Sequence, residues 1–191
     1  NKTDKKLSYT ELKKKVSEVD ILIPCVSDTI DASIIKSAKK LKLIANFGNG
    51  VDNLDLVTAR EENVMVTNTP DVLTEDTADL VLTLVLMISR KVVQAQKKIS
   101  GGRWSGWGPS ETMGERIRGK NFGIIGMGRI GKAVAKRLNI LGVKIFYHNR
   151  NRLKNNEEKV LKAKYFENLD LMITHCDIIS IHCPYTPETF H

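Results

Sequence analysis

The run Gly123-Ile124-Ile125-Gly126-Met127-Gly128-Arg129-Ile130-Gly131 has the residue types and the spacing to hold a phosphate. An apolar strand enters it, and a helical pattern, Lys132 to Leu141, leaves it. In a Gly-x-Gly-x-x-Gly turn each glycine has separate work. Gly126 permits the tight turn, Gly128 lets backbone approach a pyrophosphate, and Gly131 lets helix pack on strand. The N–H groups of Arg129 and Ile130 open the helix, where backbone donors and the helix dipole favour an anion. A glycine-rich turn alone is weak evidence. The strand before it, the helix after it and a second strand, Val143 to His148, supply the context a dinucleotide site requires.

Which dinucleotide depends on the end of that second strand. NAD sites place an Asp or Glu about 20 residues beyond the motif, on the ribose 2′-hydroxyl. Here the sequence reads His148-Asn149-Arg150-Asn151-Arg152, with no acid before Glu157. The forked donors of arginine suit a 2′-phosphate, so the pattern favours NADP over NAD. The competing reading makes Arg150 and Arg152 solvated loop charges.

The elements that must position these residues alternate along the chain. The first half reads as an apolar run, Asp20 to Val26, a helix over 33–41 and a strand over 42–47. Pro24 weakens the first run as a central strand, because proline cannot donate to a ladder. A glycine-rich turn, a helix over 54–63 and a short strand, Val64 to Thr67, follow before Pro70 ends the pattern. A long helix is predicted from Glu75 to Ile99, acidic at its start and basic at its end. Its middle, Leu80 to Ile88, is apolar nearly all round, so core or a second subunit must cover it. Homodimerisation through the 75–99 helix is the expectation.

Gly101 to Pro109 reads as a loop, whose Trp104 and Trp107 cover either a site mouth or a partner subunit, or simply pack onto the protein. After the glycine-rich turn come a polar loop, a helix near Asn168 to His175 and a strand, Asp177 to Cys183, stopped by Pro184. Alternating strands and helices imply an α/β fold with a parallel sheet covered on both faces.

Composition narrows the classes. With 41% hydrophobic and 27% charged residues, the 191-residue chain is an ordinary globular protein of one large or two small domains. Its longest apolar stretch is too short to span a bilayer, and no membrane partner is expected. The formal charge of +8 comes from lysines dispersed on helix-like segments. Without aromatic interleaving, no nucleic-acid partner is expected either. Cys25, Cys176 and Cys183 sit in or beside apolar runs and read as reduced core cysteines of a cytoplasmic protein. No Cys/His spacing suits a metal. Asn1-Lys2-Thr3-Asp4 has neither a signal-peptide pattern nor an initiator Met, so residues upstream are expected.

Five ordered motifs resemble the D-isomer-specific 2-hydroxyacid dehydrogenases. They are Asn49-Gly50-Val51-Asp52-Asn53-Leu54-Asp55, Thr67-Asn68-Thr69-Pro70, Thr77-Ala78-Asp79-Leu80, Gly123 to Gly131, and His182-Cys183-Pro184-Tyr185-Thr186-Pro187-Glu188-Thr189. Within that family, Trp104-Ser105-Gly106-Trp107 and Tyr147-His148-Asn149-Arg150 look most like glyoxylate/hydroxypyruvate reductases.

The resemblance implies a flavodoxin-like substrate domain over 1–71 and a Rossmann dinucleotide-binding domain over 72–191, both incomplete. It implies that backbone amides at Asn49 and Gly50 hold the substrate carboxylate, with Asn49 also near the nicotinamide. Gly126, Gly128, Arg129, Ile130 and Gly131 would take the pyrophosphate, and Asn149 and Arg150 the adenosine ribose or its phosphate. Cys183, Pro184 and Thr189 would line the cofactor cleft. The implied activity is hydride transfer from NADPH or NADH to a small 2-oxo acid.

The catalytic Arg, Glu and His of the family pattern lie C-terminal to Pro184, beyond His191. No catalytic residue is therefore expected among these 191, and this stretch alone is expected to be inactive. His148, His175 and His182 fall in the wrong segments, and His191 matches a position outside the catalytic set. Other readings remain open at this point. One is phosphoglycerate, D-lactate or formate chemistry on the same fold. Another is a cofactor-binding interaction module resembling a transcriptional corepressor.

Overall fold

The computed structural model describes residues 6–189, and the expectations for Asn1 to Asp4 and for His191 lie outside them. The chain divides into two compact units, Asn1–Leu73 and Thr74–His191.

The first unit is built on a parallel sheet of β1 (Ile21–Leu22), β2 (Leu43–Ala45) and β3 (Met65–Thr67), in that order. Ile21 lies opposite Leu43, and Leu43 opposite Met65. β1 ends short of Pro24, as that residue's missing donor requires. The Pro24 carbonyl still accepts from Phe47 N–H at 2.8 Å.

Helix α1 (Tyr9–Val16) precedes β1, and helices α2 (Ala32–Ser37) and α3 (Leu56–Glu61) connect the strands. Six to eight residues long, they would not persist alone. Each begins at a side-chain cap, worth about 1 kcal/mol. Ser8 and Glu11 form a capping box, Asp31 Oδ1 accepts from Ile34 N–H and Asp55 Oδ1 from Thr58 N–H, both at 2.9 Å. Val16, Ile30, Ile34, Ile35 and Ile44 close the core. The capping box was the available sign of α1, an element that hydrophobic periodicity did not reveal.

The second unit holds a four-stranded parallel sheet of β4 (Asn121–Ile125), β5 (Lys144–His148), β6 (Ala163–Tyr165) and β7 (Ile178–Ile181). Their order is β6-β5-β4-β7. Ile124 lies opposite Tyr147 on one side and Ser180 on the other. α6 (Arg129–Ile140) follows β4, α7 (Asn155–Leu161) follows β5, and α8 (Leu169–Thr174) follows β6. The core centres on Phe122, Ile124, Val134, Leu138, Ile145 and Tyr147, with Ala78 and Val85 packed against it from α4 (Thr74–Ser89). An alternating parallel α/β fold is what the sequence led us to expect.

The predicted 75–99 helix is two helices. α4 stops at Ser89, and α5 (Val92–Ser100) starts after Lys91, which takes a left-handed conformation at φ 52°. The cause is distant in sequence. Glu115 N–H donates to Ser89 O at 2.7 Å, taking a carbonyl that continued helix would use. Gly114 comes so close that a Cβ there would lie 2.4 Å from Ser89 O. The stretch expected as one polar loop after β5 contains α7 and β6, whose pattern is weak because only Leu161 of α7 is buried.

The cysteine expectation is corrected too. All three are free, but Cys25 is exposed and Cys176 and Cys183 are only half-buried. Trp104 and Trp107 do not pack onto the protein, Trp107 being 88% exposed. Among the described residues no helix is long and apolar enough to cross a membrane, and no group of three or more His, Cys, Asp or Glu could hold a metal ion.

Candidate functional site

In an open parallel sheet, ligands bind beyond the carboxyl ends of the strands where the strand order reverses. In β6-β5-β4-β7, counted by chain order as 3-2-1-4, that point lies between β4 and β7. The glycine-rich turn leaves β4 there, and Cys183-Pro184 follows β7. The two connections touch. Gly126 has φ 96°, and a Cβ on it would lie 2.6 Å from Cys183 N and 2.7 Å from His182 C. His182 N–H donates to Ile125 O at 2.7 Å, extending the β4–β7 ladder into this approach.

Gly131 is buried on the first turn of α6, and a Cβ there would meet Gly126 O at 2.6 Å. It sets how closely helix packs on strand. Gly128 is different. It is the N-cap of α6, in extended backbone with no side-chain cap, and a Cβ on it would have no protein atom within 4 Å. Nothing in the protein itself demands a glycine there, whereas backbone that a pyrophosphate must approach does. Ile130 packs its side chain against the core, so what it can offer an anion is backbone.

Beyond β5, Asn149 acts on the turn itself. Its Oδ1 accepts from Met127 N–H at 2.6 Å, and its carbonyl accepts from Tyr165 OH at 3.2 Å. Arg150 is exposed. Arg152 instead donates through Nε and Nη2 to the two carboxylate oxygens of Glu158, both at 2.8 Å. Glu158 also accepts from the buried Tyr147 OH at 2.6 Å. These two donors pull the Glu158 carboxyl down to about 2, and burial with the adjacent carboxylate pushes the Tyr147 hydroxyl up to about 12. Sequence reasoning missed Glu158 and Tyr147. An acid six residues after an arginine is too common a spacing to read.

Past β7, Thr189 closes its own loop. Its hydroxyl donates to Pro184 O at 2.8 Å and accepts from Thr186 N–H at 2.7 Å. The three described histidines are each taken by local partners. His148 Nδ1 lies 3.0 Å from Phe166 O, His175 Nδ1 lies 2.7 Å from Leu171 O, and His182 Nε2 lies 2.9 Å from Ser180 Oγ. Burial pushes the His182 pKa down, favouring a neutral ring.

In the first unit, Asn49 and Gly50 occupy the loop after β2. Asn46, buried, donates through Nδ2 to Gly50 O at 2.8 Å, and Asn68 Nδ2 donates to Asn49 O at 2.8 Å. Asn53 ties the same loop to the carbonyls of Cys25 and Asp28 at 3.3 and 3.1 Å. Three side-chain amides thus fix this backbone. Asn46 had no recognisable role in the sequence, where it is one polar residue at the end of a strand.

Residues 82–191 match the model of the D-isomer specific 2-hydroxyacid dehydrogenase NAD binding domain. The chain belongs to the D-isomer specific 2-hydroxyacid dehydrogenases. It is 41% identical over 184 residues to a glyoxylate reductase of Thermococcus litoralis, covering 94% of this chain and 55% of that one. A glyoxylate reductase of Pyrococcus horikoshii is 39% identical, covering 98% and 57%. Among solved structures, the TT0316 protein of Thermus thermophilus superposes with a TM-score of 0.90 at 42% identity, covering 96% of this chain and 57% of that one. A Granulicella formate dehydrogenase gives 0.85 at 30%, covering 92% and 47%.

The chain therefore spans little more than half the length of the curated relatives it matches. The match of the dehydrogenase NAD binding domain makes the turn after β4 part of a nicotinamide-dinucleotide domain. The geometry fits that group: a helix start with no side-chain cap, an open Gly128, and the Cys183 connection beside it at the switch point.

Proposed function

We propose that the protein is an oxidoreductase that reduces a small 2-oxo acid of the glyoxylate or hydroxypyruvate type, with NADPH preferred over NADH. The observation that carries the cofactor half is Gly128, a glycine required by nothing in the protein, placed where helix donors and dipole meet an anion. The substrate class is supported by the two glyoxylate reductases, similar over nearly the whole of this chain.

In this reading, Gly126 and Gly131 hold the turn while the first N–H groups of α6, at Arg129 and Ile130, take the pyrophosphate. The exposed Arg150 guanidinium reads the 2′-phosphate through charge-assisted bonds, and Asn149 holds the turn in register. Cys183, Pro184 and Thr189 line the same end of the sheet. Thr189 does so by fixing the Pro184 carbonyl rather than by offering its own hydroxyl. Asn49 and Gly50, with their carbonyls tied to Asn68 and Asn46, present rigid backbone to the substrate carboxylate. Neutral backbone donors grip a small anion without selecting its side chain, which suits substrates as small as glyoxylate. The nicotinamide supplies the hydride when bound. The 1–71 and 72–191 segments act as the substrate and cofactor domains. The protein works as a homodimer in the cytoplasm, where its three free thiols suit a reducing compartment.

The test is a spectrophotometric assay of the intact protein with NADPH or NADH against glyoxylate, hydroxypyruvate and pyruvate, run beside NAD-dependent formate oxidation. Fastest turnover of glyoxylate or hydroxypyruvate with NADPH is expected. Formate oxidation without 2-oxo acid reduction would overturn the reading.

A further inference from the structure

The loop after β5 carries two arginines two residues apart, and their surroundings differ. Arg152 meets Glu158 in a two-point pair, both bonds at 2.8 Å, and its guanidinium lies 5.4 Å from the centre of the Tyr165 ring. The Glu158 side chain is 12% exposed, and the Arg152 side chain 56%. Around this carboxylate the loop is fastened at both ends. Leu153 N–H donates to Tyr147 OH at 3.0 Å, and Asn149 is held through its carbonyl and its Oδ1. Arg150 and Asn151 lie exposed between the fastenings.

A guanidinium already bonded in-plane to a carboxylate has lost both its best donor edge and its net charge as seen by a second anion. Of its two arginines, the loop therefore presents the effective charge of one. We propose that Glu158 is a specificity-determining residue for the cofactor, withholding Arg152 from the ribose 2′-position so that Arg150 alone reads a phosphate there. This rests on the proposed role of Arg150. Glu158 acts through Arg152 and is a positioning residue. Its effect is to cap the protein's preference for a 2′-phosphate at what one arginine gives.

Two pairs of ligands isolate the 2′-group: adenosine 2′,5′-bisphosphate against 5′-AMP, and NADPH against NADH. Equilibrium titration of the intact protein at fixed salt gives the preference within each pair. Glu158→Gln breaks the two-point pair while its amide oxygen still accepts from Tyr147. It is expected to raise the preference about three- to tenfold, leaving 5′-AMP affinity unchanged. The double variant R152Q/E158Q deletes the pair without changing net charge, and is expected to return the preference to the wild-type value. Should E158Q fail to fold, Arg152→Lys, which keeps the charge but cannot make the planar pair, carries the same upward expectation.

An E158Q preference that stays level or falls would overturn the proposal. So would an R152Q/E158Q preference as low as that of Arg150→Gln, because Arg152 would then be a direct ligand. Failure of the underlying reading looks different: Arg150→Gln would leave the wild-type preference where it was.

Discussion

Gly126 and Gly128 stand two residues apart in one turn, yet they are glycines for different reasons. At φ 96°, with Cys183 N 2.6 Å from where a Cβ would sit, Gly126 is required by the fold. Gly128 has a φ of −80° and open space around it, so the chain alone tolerates a methyl group there. Gly126→Ala is expected to cost about 1–3 kcal/mol of stability, the range for a side chain held at positive φ. Gly128→Ala should stay within about 0.5 kcal/mol of wild type while weakening NADPH and NADH alike by about tenfold or more, some 1.4 kcal/mol of binding. Urea unfolding and a fluorescence titration on the same samples separate the two. A destabilised Gly128→Ala that binds normally would remove the argument that this glycine serves a ligand. Arg150 and Arg152 teach the same lesson with charge: two like residues in one loop are told apart by an acid that only the fold brings near.

At the scale of elements, two of the contacts that hold α6 to the rest of its unit are of unequal strength. Arg137 reaches from α6 to α4, with Nε 2.6 Å from Asp79 and Nη2 2.8 Å from Glu75. Both acids are well exposed, and such pairs are worth under about 1 kcal/mol each. Gly131 instead sets the distance between α6 and β4, where a Cβ would press on Gly126 O and Ile124. Gly131→Ala is therefore expected to cost more than Arg137→Ala, about 1–3 kcal/mol for overpacking. Chemical denaturation of both variants ranks them, and the reverse order would mean that ion pairs rather than close packing seat the helix. What the sequence made legible follows this division. The strand–turn–helix around Gly126 was readable because its glycine pattern lies within nine residues, although the Cys183 backbone that crowds Gly126 comes from far along the chain. The break at Ser89–Lys91 was not, since it is made by Gly114 and Glu115 and no proline or glycine stands at the break. α7 and β6 escaped because a helix burying one residue carries little periodicity. Of the candidate site, the glycines, Asn149 and Arg150 could be proposed by motif and offset. Asn46, Tyr147 and Glu158 could not, because each matters through a partner that only folding supplies.

For the molecule as a whole, the decisive quantity is the apolar surface of the second unit set against the net charge of the chain. Leu80, Leu84 and Ile88 recur every fourth residue on one face of α4 and are all exposed, Ile88 to 77%. Val92, Val93 and Ile99 on α5 and the Trp104–Trp107 loop add to the apolar area left uncovered. Single exposed apolar residues need no explanation, but a helix face of them is the pattern of an interface. Association through that face would bury it, and the +8 carried by each copy of these 191 residues would oppose it. A dimer held by apolar burial against charge repulsion must tighten as salt screens the repulsion. One held by ion pairs must loosen. Sedimentation equilibrium of the intact protein at low and high salt is expected to show a dimer whose dissociation constant falls with salt. Leu84→Asp combined with Ile88→Asp is expected to give a monomer that still binds NADPH, because neither residue lies on the glycine-rich turn or the Arg150 loop. A wild-type monomer at every salt concentration, or a double variant as dimeric as wild type, would place the subunit contact elsewhere and leave the α4 face unexplained.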